Sequence, residues 1–198
     1  NDYKIGDTKI SIPPTVLFTA AAILPDATKT VSMDVKRPGD MVYVLGETHD
    51  EMGGSEYLAL KGRLGANVPK VAPMKAKRLY TALSQAIGQG LVASCHDCSD
   101  GGLGVALAES AFAGGYGMSL DLGPVEAPNM TVALFSESQS RFVVTVKPSD
   151  AAAFESALGN CPVARVGVVR DDDRFEIENG ICATIGELKE AWQRPLRW

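Results

Sequence analysis

The chain has 198 residues, 45% of them hydrophobic and 22% charged, with a formal net charge of −5. That length suits one large domain whose apolar core needs no disulfides, and the acidic balance excludes a non-specific nucleic-acid binder, which needs a basic face. No apolar run reaches bilayer-spanning length, and four cysteines are too few for a disulfide framework, so no membrane role and a cytoplasmic location are expected.

Residues 1–34 read as a strand and linker belonging to a preceding domain. Ile10-Ser11-Ile12-Pro13-Pro14 is extended, because a residue before proline is pushed toward β. Val16 to Leu24 is then a buried strand that needs a sheet to join. It is too short and too poorly flanked for a signal peptide. From residue 35 to 198 the pattern is that of one α/β domain. Pro38-Gly39-Asp40 is a turn, and Met41 to Leu45 is a buried strand ending at Gly46. Gly53-Gly54 is a loop before a short helix from Ser55 to Leu60. Pro73 opens a longer helix with Ala76, Leu79, Tyr80, Leu83, Ala86 and Ile87 on one apolar face, stopped by Gly88 and Gly90.

Leu91 to Cys95 is expected as the next strand. Leu103 to Phe112 is a helix apolar almost all round, hence buried on both sides, and Gly114-Gly115 stops it. Met118, Leu120 and Leu122 alternate with polar residues as a half-buried strand does. Phe142 to Val146 is another strand. Pro148-Ser149-Asp150 caps a helix carrying Phe154, Ala157 and Leu158 that ends at Gly159. Val163 to Val169 and Phe175 to Ile177 read as a hairpin over the turn Arg170 to Arg174. Thr184 and Glu187 form a capping box for a last helix with Leu188 and Trp192, stopped by Pro195. The fold class is α/β (α+β), a mixed sheet with flanking helices.

Three polar constellations interrupt this scaffold. In Cys95-His96-Asp97-Cys98-Ser99-Asp100-Gly101-Gly102-Leu103 a strand ends in carboxylates and a helix starts on two glycines. Helix-start N–H groups attract anions, and glycine lets a phosphate come close. A carboxylate beside a phosphate calls for Mg²⁺ between them. The segment therefore reads either as a nucleotide–Mg²⁺ site or as a plain helix start capped by Ser99 or Asp100. Its Cys-x-x-Cys pair lacks a clear fourth ligand for zinc and reads as idle thiols. Gly46 to Tyr57, with Gly53, Gly54 and Ser55 at a helix start, is a second anion-holding candidate or else a surface loop. Ser136 to Arg141 offers Glu137, Ser138 and Arg141 to a polar ligand, or forms a turn with a solvated salt bridge. Asp171-Asp172-Asp173 reads as an acidic turn.

Taken together, Ile10 to Thr15, Gly46-Glu47-Thr48, Gly53 to Leu58, His96 to Leu103 and Phe135 to Ser138 resemble, in order, the second-half carboxy-terminal domain of the phosphoribosylformylglycinamidine synthase family. That resemblance implies an aminoimidazole ribonucleotide synthetase carboxy-terminal-like domain. It also implies a whole enzyme, a pseudo-dimer of two halves, that uses ATP and glutamine-derived ammonia to convert formylglycinamide ribonucleotide to its amidine in purine biosynthesis. The partners implied are the remaining synthetase domains and a glutaminase domain or subunit supplying the ammonia. The cofactors are ATP/ADP and Mg²⁺. Asp97 maps onto a metal ligand and Ser99 onto a nucleotide contact, and the reading of the two helix starts as anion sites adds Asp100, Gly101, Gly102, Gly53, Gly54 and Ser55 as nucleotide contacts. Glu137-Ser138-Gln139 is similar to a substrate-binding triplet of the first-half copy. No catalytic residue is expected in this chain, which should be inactive alone. The rival readings are another enzyme of the superfamily, such as aminoimidazole ribonucleotide synthetase, selenophosphate synthetase or thiamine-monophosphate kinase, and a non-catalytic interaction module.

Overall fold

The computed structural model describes residues 2–11 and 15–196. Ile12, Pro13 and Pro14, expected to be extended, lie outside the described residues. The chain opens with a small hairpin, β1 (Asp2–Ile5) and β2 (Thr8–Ser11), which pair only with each other. The hairpin was not expected, since its strands are four residues each and show no clean alternation. The strand expected at Val16 to Leu24 does not form. Residues 15–24 are irregular, with Leu17 and Phe18 each 89% exposed and Ile23 96% exposed. Among the described residues no sheet edge receives this segment, so its backbone has no ladder to join.

The body of the fold is a seven-stranded sheet. Its strands are β3 (Met41–Leu45), β4 (Ser94–Asp97), β5 (Met118–Leu120), β6 (Phe142–Val146), β7 (Val163–Val169), β8 (Arg174–Ile177) and β9 (Cys182–Thr184), in the spatial order β4-β6-β3-β7-β5-β8-β9. The β5–β8 pair is parallel and the rest are antiparallel. The expected hairpin of β7 on β8 is thereby corrected. β5 lies between them, antiparallel to β7 and parallel to β8. The strand expected at Leu91 to Cys95 sits further on, at Ser94 to Asp97. There a polar pair, Ser94 and Thr145, hydrogen-bonds across the strands at 2.6 Å. The short β9 had no signal of its own.

The helices are α1 (Glu56–Leu60), α2 (Pro73–Gly88), α3 (Gly102–Gly114), α4 (Met130–Phe135), α5 (Ala151–Leu158) and α6 (Ile185–Gln193). Only α4 was not expected; Asn129 caps it, accepting from the Val132 amide at 3.0 Å. Alternate residues of β3 feed two cores. Val42 and Val44 join the core under α3 and α4, while Tyr43 and Leu45 join the core under α2 and α5. That is why the strand reads as an unbroken apolar run, being buried on both faces. α3 brings Leu103, Ala106 and Leu107 to the first core, and α2 brings Leu79 and Leu83 to the second. α6 lies over α3, where Trp192 donates to Glu109 at 2.8 Å. Its capping box is formed as expected, with the Thr184 hydroxyl accepting from the Glu187 amide.

Candidate functional site

The three polar constellations, far apart in sequence, fold into one place. The Ser138 hydroxyl accepts from the His49 amide at 3.0 Å, and the Ser136 hydroxyl donates to the His49 carbonyl at 2.7 Å. Arg141 donates to the Thr48 hydroxyl and the Ser138 carbonyl, each at 3.0 Å, and to the Ser136 carbonyl. The Cys98 amide donates to the Arg141 carbonyl at 3.0 Å. At the centre stands Glu137. One carboxylate oxygen accepts from the Gly101 amide at 2.8 Å and from the Glu56 amide at 2.9 Å. The starts of α1 and α3 thus meet on one carboxylate.

The expected site residues divide by access. Asp97, Ser99 and Asp100 are exposed at the end of β4, and Gly54 is exposed at its turn. The Ser99 hydroxyl donates to Asp97 Oδ2 at 2.5 Å, and that bond holds the Asp97 carboxyl below its ordinary range. Ser138 and Arg141 are each only 1% exposed. Arg141 is therefore an internal brace rather than the solvated salt-bridge partner considered above. Its three partners are neutral oxygens, and burial pulls its guanidinium below its usual value. Such a guanidinium still carries its charge.

Neither aspartate nor serine caps α3. Its N-cap is Gly101, with no side-chain cap bond, so the expected caps Ser99 and Asp100 are corrected. The reason is backbone geometry. Gly102 has φ +69°, and a Cβ there would stand 2.5 Å from the Ser136 carbonyl oxygen. The helix start is pressed onto the segment after α4. At the other helix start the Gly53 amide donates to Asn67 O at 2.8 Å and the Gly54 amide to Leu64 O at 2.7 Å. A Cβ on Gly53 would come within 2.7 Å of the Asn67 backbone. Ser55 is the N-cap of α1, accepting from the Leu58 amide at 3.3 Å. These two glycine amides are engaged by the chain's own carbonyls.

The thiols beside the site are not poised for chemistry. Burial pushes Cys98 up to about 12 and Cys95 up to about 11. A cleft of about 580 Å³ opens beside Glu47, His49, Lys75 and Pro162. Lys75 holds the Glu47 carboxyl below its ordinary range across a 2.8 Å ion pair. In the acidic turn, Asp172 is engaged by Arg170 and by the Arg174 amide, as a turn requires.

The family model described as AIR synthase related protein, C-terminal domain, matches residues 37–179. The chain belongs to that family. The AIR synthase-related assignment agrees with the expected mixed sheet and flanking helices. Among curated relatives, the "Phosphoribosylformylglycinamidine synthase subunit PurL" of Alkaliphilus metalliredigens is 37% identical over 195 residues, covering 96% of this chain and 26% of the relative. The chain thus spans about a quarter of the length of that relative. Among solved structures, T. maritima PurL complexed with FGAR superposes with a TM-score of 0.70 at 22% identity, covering 82% of this chain and 30% of that one. T. maritima PurL complexed with ATP superposes at 0.62 and 23% identity, covering 82% and 27%. At those identities the likeness is one of fold. The sequence signals that located the site were the Gly-Gly helix starts and the Asp97-to-Gly102 run. The role of Glu137 as the link between them carried no local signal.

Proposed function

We propose that the chain is the carboxy-terminal domain of a synthase of the PurL kind. Such a synthase converts formylglycinamide ribonucleotide to the amidine with ATP and ammonia. The observation carrying this reading is the 37% identity across 96% of the chain to a relative of that name. In this role the chain supplies the edge of a nucleotide cleft and no catalytic group. Asp97 and Ser99, exposed at the strand end, face the nucleotide, with Asp100 beside them. Among the described residues no three acidic, histidine or cysteine side chains cluster as a metal site. One carboxylate plus phosphate oxygens is nevertheless an ordinary Mg²⁺ environment. Asp97 fits that donor set, and Mg²⁺ bound there would neutralise phosphate charge. The apolar residues 15–24 would dock on a preceding domain, and a glutaminase partner would supply ammonia in the cytoplasm.

The test joins this chain to the preceding domains of the Alkaliphilus metalliredigens relative. The hybrid should release ADP when given formylglycinamide ribonucleotide, ATP and ammonium, and the chain by itself should release none. A folded hybrid that binds ATP yet turns over none of these substrates overturns the reading.

A further inference from the structure

The thirteen-residue helix α3 has no capping side chain and no acidic residue in its first turn. The four leading N–H groups of such a helix, and the positive end of its dipole, ordinarily require a nearby acceptor. The chain cannot put one at the usual position. Gly101 and Gly102 both have positive φ, and a Cβ at either would meet neighbouring atoms at 2.5 Å. The acceptor comes instead from Glu137, 36 residues away, whose oxygen also takes the Glu56 amide at the start of α1. Glu137 is held in turn, because Arg141 grips the carbonyls of Ser136 and Ser138 on either side of it.

We propose that Glu137 is a positioning residue: its carboxylate caps α3 through space and ties that helix start to the start of α1. The segment Asp97 to Asp100, whose Asp97, Ser99 and Asp100 are exposed, is thereby held in one geometry. This inference rests on the reading of that segment as a nucleotide edge. It assigns Glu137 to the scaffold, where similarity to a substrate-binding triplet had suggested a ligand contact. The Gly101 amide is already taken by an internal anion, so an incoming phosphate does not receive it. Recognition at this corner falls to Asp97 and Ser99.

Amide hydrogen exchange on the 198-residue chain, without nucleotide, tests the clamp. Glu137→Ala should raise exchange at both Gly101 and Glu56 by roughly tenfold or more, while α2 and α5 keep their protection. Glu137→Gln keeps a carbonyl acceptor and should restore most of that protection. It also decides the matter if Glu137→Ala does not fold. A rise at only one of the two amides, no rise at either, or a uniform rise through α2 and α5 overturns the proposal. A parallel arm with ATP and Mg²⁺, run on the hybrid that carries the preceding domains, reads protection of residues 97–100. Its failure beside an intact two-site pattern sinks the nucleotide reading alone, and the reverse outcome sinks the clamp alone.

Discussion

Asp97 and Asp100 are three residues apart and chemically alike, yet the fold separates their duties. Asp97 accepts the Ser99 hydroxyl and its carboxyl lies below the ordinary range. A carboxylate depressed in the folded state stabilises the fold above its unfolded value, near 3.9, and loses that contribution as acid passes below its folded value. Melting curves of wild type and Asp97→Asn should therefore differ slightly near neutrality and converge at low pH. In an ATP-binding assembly the same substitution should weaken Mg²⁺-dependent nucleotide retention, since a neutral amide is a poor Mg²⁺ ligand. Asp100 is exposed and caps nothing, so Asp100→Ala should move stability by less than about 0.5 kcal/mol in a denaturant titration. The thiols divide in the same way. A thiol reagent followed by mass spectrometry should mark exposed Cys182 first and reach buried Cys98 only on unfolding.

Among the elements, α3 and α6 start by opposite devices. α6 carries its own capping box, so Thr184→Ala should cost about 1 kcal/mol, read as a lowered urea midpoint. α3 depends on close backbone approach. Gly102→Ala meets both a positive φ and the Ser136 carbonyl, and should cost at least about 1–3 kcal/mol in the same titration. The first device was legible in sequence, because Thr184 and Glu187 lie within one turn. The second was not: Gly101-Gly102 resembles a phosphate-binding turn equally well. Only the position of the segment after α4 shows that packing demands Gly102. Strand order shows the same limit. β7 and β8 are joined by a short turn and look like a hairpin, but β5, far upstream, takes the place between them.

At the scale of the molecule, residues 31–35 are tied to the body of the fold. Val31 packs on the core under α2 and α5, the Cys95 amide donates to the Ser32 carbonyl at 3.1 Å, and the Val35 amide donates to the Ser110 carbonyl at 3.1 Å. A chain beginning at Thr30 should keep its Tm. One beginning at Val35 loses the Ser32 bond and Val31 contact, about 1 kcal/mol or more, and its Tm should fall by at least about 2–4 °C in calorimetry. The sequence alone determined the α/β class, the doubly buried β3, the apolar face of α2, the capping box of α6 and the three polar stretches. Those signals are set by residues within a turn or a strand of one another. Tertiary structure alone decided that the three stretches are one site, that β5 parts β7 from β8, and that the acceptor for α3 is Glu137. Each depends on backbone groups brought together from 36 or more residues apart, and no local periodicity records such a meeting.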